Sequence, residues 1–240
     1  MKNIDMKKIF TIAVVTAAAV LAVSCAKEVA GNSGLIAHAS LQPVEASKAV
    51  GQYSYNIVWE ENDHISVLDA NGLKGDFELV DGRGTTSGTF RYVGEKTFTA
   101  PLSAFYPASI VTEDKSLVWP SEQPDVKNIA NVPMTATSPK AEDDINFAFK
   151  HLGAVLQLVF TAKNGEIKVG CIDITADQGL SGKFEVVEGT AKILASEPEG
   201  TITTGDISGK GVKISAAATY LNFAVPVGNF TNLKITITDI

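Results

Sequence analysis

The chain has 240 residues, 45% of them hydrophobic and 20% charged, with a formal net charge of −7. An acidic balance offers no basic face to a phosphate backbone, which argues against nucleic acid as a partner and against direct adhesion to acidic lipid. Three histidines (His38, His64, His151) and two cysteines (Cys25, Cys171) stand at unrelated spacings, which gives no zinc site of the usual kind.

Lys2, Lys7 and Lys8 make a cationic start, and from Ile9 to Val23 there is no charged residue. That apolar run has the length of a signal peptide rather than of a membrane-spanning helix. It ends in Leu21-Ala22-Val23-Ser24-Cys25, small residues leading directly into a thiol, and so resembles a lipobox. Residues 1–24 are therefore expected to be removed, leaving Cys25 as a lipidated first residue with palmitate-like acyl chains. Each buried methylene of such chains contributes roughly 0.8 kcal/mol to membrane attachment. With Lys2, Lys7, Lys8 and Asp5 gone, 216 residues remain and the formal charge of −7 becomes −9. Cys171 is then the only thiol, so no intramolecular disulfide is expected. Its place in the alternating run Ile167–Ile174 reads as a buried, inert strand residue.

Beyond the signal the apolar period is two. Strands are expected at Leu35–Leu41, Tyr53–Trp59, Ile65–Asp69, Gly75–Val80, Thr89–Val93, Ala104–Tyr106 and Leu117–Trp119. They continue at Asn146–Phe149, Ala154–Thr161, Glu166–Thr175, Gly182–Val187, Val212–Ser215, Tyr220–Val225 and Leu233–Thr238. These runs are rich in Val, Ile, Thr, Phe and Tyr and are punctuated by Gly, Asn, Asp and Pro. Asp69-Ala70-Asn71-Gly72 and Asn164-Gly165 carry hairpin-turn chemistry. The body is therefore expected to be all-β and built as sandwiches. Four of the nine prolines fall between residues 120 and 145, which reads as a long connection between two domains. The expected division is 1–24 signal, 25–140 first sandwich and 141–240 second sandwich.

Sites for chemistry are scarce. There is no G-x-S-x-G elbow. The loop Gly82–Gly88 lacks the lysine and following helix of a phosphate-binding loop and reads as a hairpin connection. Glu60–Asp63 and Glu142–Asp144 do not match a calcium loop and read as solvated turns. Trp59, Phe105, Tyr106 and Trp119 suit a sugar-stacking platform in composition, but in a β protein such residues more often form core. The sequence thus gives no catalytic, cofactor or metal site, and no enzyme is expected.

Four short motifs then resemble the fimbrillin family, the Mfa-like subunits of type V pili. Trp59-Glu60-Glu61-Asn62-Asp63-His64-Ile65-Ser66-Val67 is similar to W-x-x-G-D-x-I-x-V, with Asn62 in place of Gly. Ala104-Phe105-Tyr106-Pro107 is similar to A-x-Y-P, and Val118-Trp119-Pro120-Ser121-Glu122-Gln123 to a V-x-x-P-x-x-Q turn. Phe147-Ala148-Phe149-Lys150-His151-Leu152-Gly153-Ala154-Val155-Leu156 is similar to the F-x-[KR]-H-x-x-A-x-L strand. The resemblance implies two tandem transthyretin-like β-sandwich domains in a lipoprotein of the outer membrane. It also implies proteolysis in the loop after the first strand Leu35–Leu41, here at Ser47-Lys48-Ala49 with Lys48 where Arg is usual. The freed strand leaves, and a donor strand from another pilin subunit fills its groove, giving a fimbrium. Longer relatives carry further strands past residue 240, the donor region among them, so the resemblance implies a subunit that accepts or anchors, or a sequence that continues. The alternative is a stand-alone surface lipoprotein that binds glycan or host protein.

Overall fold

The computed structural model describes residues 34–42, 57–126, 132–142 and 145–240, with backbone alone for 195–199. The two-residue period becomes strands almost throughout. From the first half come β1 (Leu35–Leu41), β2 (His64–Leu68), β3 (Lys74–Asp81), β4 (Ser87–Tyr92), β5 (Leu102–Tyr106), β6 (Leu117–Trp119) and β7 (Met134–Ser138). They are followed by β8 (Ile145–His151), β9 (Gly153–Phe160), β10 (Ile167–Thr175), β11 (Ser181–Val187) and β12 (Thr190–Glu199). The last are β13 (Thr201–Thr203), β14 (Lys213–Ile214), β15 (Thr219–Pro226) and β16 (Lys234–Asp239). Helical structure among the described residues is limited to two 3-10 turns, Ala108–Ile110 and Ser208–Lys210. The protein is all-β.

Seven strands pair into a closed ring in the order β1-β4-β3-β2-β5-β7-β8. Its interior follows from alternation, since every second side chain points inward. Ile65 and Val67 of β2, Phe77 of β3, Phe90 of β4 and Phe147 and Phe149 of β8 all reach one core. Trp59 sits at its centre, edge-on to Phe90, Tyr106 and Phe149 at centroid distances of 4.9, 5.3 and 5.7 Å. Such edge-to-face pairs place positive ring edges against negative ring faces.

The expected turn after β2 forms around one carboxylate. Asp69 accepts the N–H groups of Asn71 and Leu73 on Oδ1 (2.8 and 2.7 Å) and that of Thr99 on Oδ2 (2.9 Å). Gly72 supplies the left-handed residue at φ 74°. Burial of the carboxylate opposes its ionisation, but the three N–H donors outweigh that and hold its pKa below the ordinary value.

The remaining strands make smaller sheets: β10 with β13, β14 and β16; β12-β11-β6; and β15-β9. Aliphatic residues such as Ile172, Ile174, Ile202 and Leu221 form a second core. A third cluster joins Phe105 of ring strand β5, and Ile110 and Val111 in the turn after it, to Trp119, Leu152, Phe184 and Ala224. Gln123 strengthens this seam. Its amide nitrogen donates to the Ala224 carbonyl and its amide oxygen accepts the Ala224 N–H, both at 2.8 Å. One side chain therefore does for β15 what a neighbouring strand would do. All described strands fall in one compact unit, Ser33–Ile240.

Several local expectations change. Met134–Ser138, inside the proline-bearing stretch read as a connection, is a ring strand, because Pro133 and Pro139 flank it without interrupting it. β8 lies beyond residue 140 and completes the ring, whereas β6 lies before it and pairs with β11. Ile57–Trp59 is not strand, and the rest of Tyr53–Trp59 is outside the described residues. Cys171 is half-buried, with Asp173 Oδ1 and Thr203 Oγ1 each 3.5 Å from its sulfur. An irregularity between Val169 and Cys171 puts the thiol on the polar side, opposite to buried Ile172.

Candidate functional site

β1 is a ring strand assembled from far away in sequence. Ala37, His38 and Ala39 lie opposite Phe90, Thr89 and Gly88 of β4, antiparallel. On the other side the same three lie opposite Ile145, Asn146 and Phe147 of β8, parallel, the one parallel pairing in the ring. Alternation sends Leu35, Ala37, Ala39 and Leu41 toward the core, with Ala37 0% and Ala39 3% exposed. Ile36, His38 and Ser40 face out.

The small inward residues answer large neighbours. Ala37 lies between Phe90 and Ile145, and Ala39 has Phe147 at one side. At its other side is Gly88, where an added Cβ would come within 2.8 Å of Trp59 Cδ1 and Leu79 Cδ1. The aromatic rings fill the space that β1 leaves, as close packing requires.

β8 depends on β1. Between β7 and β8 only Met134 opposite His151 and Thr135 opposite Lys150 are paired, and the two strands part beyond them. The rest of β8, including Phe147 and Phe149, is held on one edge by β1.

Both ends of the segment between β1 and the next described residues are tied to the β3–β4 connection. Leu41 N–H donates to the Thr86 carbonyl at 2.8 Å, and Trp59 N–H to the adjacent Thr85 carbonyl at 2.9 Å. Gly84 N–H returns a bond to the Trp59 carbonyl at 2.7 Å. The glycine-rich Gly82–Gly88 stretch is thus a hairpin connection that anchors two other segments. Arg83 is paired with Glu61 at 2.7 Å on the surface.

The first two signature motifs meet in space. Asn62 takes the left-handed conformation at φ 68°, which suits an Asn where the signature has Gly. Asp63 Oδ2 accepts the Glu60 N–H at 2.7 Å, and Oδ1 accepts the Tyr106 hydroxyl at 2.9 Å. Burial pushes the Asp63 carboxyl above the ordinary carboxylate range despite those bonds, and burial beside Asp63 pushes the Tyr106 hydroxyl up as well. With both oxygens taken by protein donors, Asp63 is a structural clasp for the turn that seats Trp59.

Trp59, Phe105, Tyr106 and Trp119 are all buried, so they form core and not a stacking platform. The three histidines are separate. His38 Nδ1 lies 3.4 Å from Thr89 Oγ1 on the outer face of β1, and His64 Nδ1 lies 2.7 Å from the Asn62 carbonyl. His151 ends β8, where burial lowers its pKa. Cys25, Lys48 and Asp143-Asp144 lie outside the described residues. Sequence reasoning placed β1 but missed its partners Ile145, Phe147 and Gly88, since alternation within a strand does not name its neighbours.

No family model matches the chain, and no curated protein matches it. Among solved structures, the chain is similar to a candidate cell adhesion protein of Bacteroides ovatus. The identity is 14%, over 87% of this chain and 78% of that one, with a TM-score of 0.45.

Proposed function

We propose that this protein is a lipid-anchored, surface-exposed subunit of the fimbrillin kind, whose first strand is withdrawn and replaced by a strand from another chain. The observation that carries the reading is the seating of β1 between β4 and β8. Its inward side chains at the centre are alanines, so its departure removes little apolar mass of its own. It uncovers Phe90, Phe147 and Phe149 and leaves the backbone groups of two strands without partners. That is the condition under which an incoming strand is captured, with backbone hydrogen bonds giving affinity and alternate side chains giving register.

In this reading Cys25 carries the lipid, and cleavage after Lys48 releases the lipid together with residues 25–48. After such a cut the following part of the chain keeps its tie through Trp59 to Thr85. The subunit then acts in an outer-membrane or fimbrial assembly through other pilin subunits.

The test is mild trypsin treatment of the mature protein, followed by N-terminal sequencing, detergent gels and negative-stain microscopy. The expected result is a single new N-terminus at Ala49 and, when a pilin subunit bearing a donor strand is added, oligomer ladders that survive heating, both abolished by Lys48→Gln. A ragged digest with no cut near Lys48 and no filaments overturns the reading. A monomer that keeps residues 25–48 and shifts its melting temperature with a glycan or host protein supports the binding-module alternative. Cys25→Ala should abolish membrane attachment in either case.

A further inference from the structure

We infer that the groove under β1 selects its occupant by size, admitting only a strand with small residues at two central inward positions flanked by larger apolar ones. This inference rests on the strand-replacement reading and specifies the partner. Position by position, the groove is defined by what stands opposite β1. Leu35 meets Tyr92 on β4, and Leu41 meets Phe149 on β8, so the two ends accept a branched apolar side chain.

The centre does not. Ala37 is fully buried between Phe90 and Ile145, both themselves 0% exposed. Ala39 is buried beside Phe147 and Gly88, and the space over Gly88 belongs to Trp59 and Leu79. An extra methyl at position 37 competes for space with Phe90, which packs against Trp59, and one at position 39 with Phe147, which packs against Phe149. Overpacking of this kind is destabilising even when the added atoms are apolar. The outward positions carry no such restriction, because Ile36, His38 and Ser40 are exposed.

The fitting partner is an extended segment of another polypeptide reading apolar–x–small–x–small–x–apolar, with Ala, Gly or Ser as the small residues. It would run parallel to β8 and antiparallel to β4. The last strand of this chain does not have that pattern. In one register β16 offers Ile235 and Ile237 inward, and in the other Lys234, Thr236 and Thr238. A second copy's β16 is therefore the wrong shape for the groove.

The experiment uses the chain from residue 25 to 240 with a recognition sequence for a specific protease placed between residues 43 and 56, so that nicking does not depend on Lys48. The nicked protein is incubated with labelled peptides: the β1 sequence Leu35–Leu41 with native flanks, its Ala37→Val, Ala39→Val and Ser40→Val variants, and residues 233–240. Retention after gel filtration is the readout. The β1 and Ser40→Val peptides should be captured equally, the two inward variants roughly ten-fold less well, and the 233–240 peptide not at all. Equal capture of the Ala39→Val peptide, or capture of 233–240, overturns the size selection while leaving strand replacement standing. No release of β1 and no capture of any peptide overturns strand replacement, and the inference with it. In the un-nicked chain, Ala39→Leu should lower the thermal midpoint and Ser40→Leu should not; equal effects overturn the inference independently of exchange.

Discussion

The ring and the second half use the same alternating chemistry and manage their strand edges differently. In the ring every strand has two neighbours, and closure removes the exposed edge that would otherwise recruit another chain. In the second half the sheets are short. Among the described residues β9 pairs with β15 and β16 with β10, and Val159 and Ile235 are 54% and 38% exposed. The cores differ in the same sense: aromatic and centred on Trp59 in the ring, aliphatic in the second half. The contrast teaches that edge protection in the ring is conditional, since it rests on one seven-residue strand, and β8 is joined to β7 at two residue pairs.

The contrast can be broken first at Trp59. Trp59→Ala should cost about 3–5 kcal/mol in denaturant unfolding, because the cavity opens at the point where β4, β5 and β8 meet. A loss below about 1 kcal/mol would show that the ring core lies elsewhere. Gly153→Ala comes next, at about 1–3 kcal/mol, since the new Cβ would sit 2.3 Å from the Trp119 ring and 2.4 Å from the Val225 carbonyl. A thermal midpoint equal to wild type would sink that account of the seam.

Gln123→Ala removes two amide bonds to Ala224 and should cost about 1–2 kcal/mol. Hydrogen exchange at the Ala224 amide should accelerate ahead of the ring amides, whereas a uniform change across both halves would mean that Gln123 does not link them. Asp69 tests the ring by pH. Its folded pKa lies below the unfolded value of about 3.9, so its contribution is fully present above that value and is lost as pH falls through the folded one. Asp69→Asn should therefore be less stable near neutrality, with a gap from wild type that closes on acidification; a constant gap contradicts the assignment. Ile235→Ala, on β16 and 38% exposed, should change stability by no more than about 0.5 kcal/mol. A larger loss would mean that this residue is covered in solution.

Much of this was legible from the sequence, and the gaps have physical reasons. Alternation located β1, β8 and β10 because it fixes which face a side chain takes. It does not fix the neighbour, so the parallel seating of Ala37 beside Ile145 was invisible. β7 was hidden because its prolines sit just outside the strand, where they need no ladder hydrogen bond. β12 was hidden by Glu197-Pro198-Glu199, which reads as a turn although the strand runs through it. Trp59, Asp63 and Tyr106 were quoted as motif residues, but their hydrogen bond and ring contact depend on two segments meeting. Gln123 likewise gives no local sign that its amide will stand in for a strand.

A ring closed by its first strand cannot close early. Ala37 takes its place beside Ile145, 108 positions further along the chain, while β2, β3 and β4 pair with near neighbours. Contacts of long sequence separation form slowly because the intervening chain must be ordered first. A polypeptide made from its N-terminus can pair its first strand with β4 early, but the pairing with β8 waits until the eighth strand has been synthesised. Closing the ring through β8 is the step that must come last, and until it is taken β1 carries one unpaired edge.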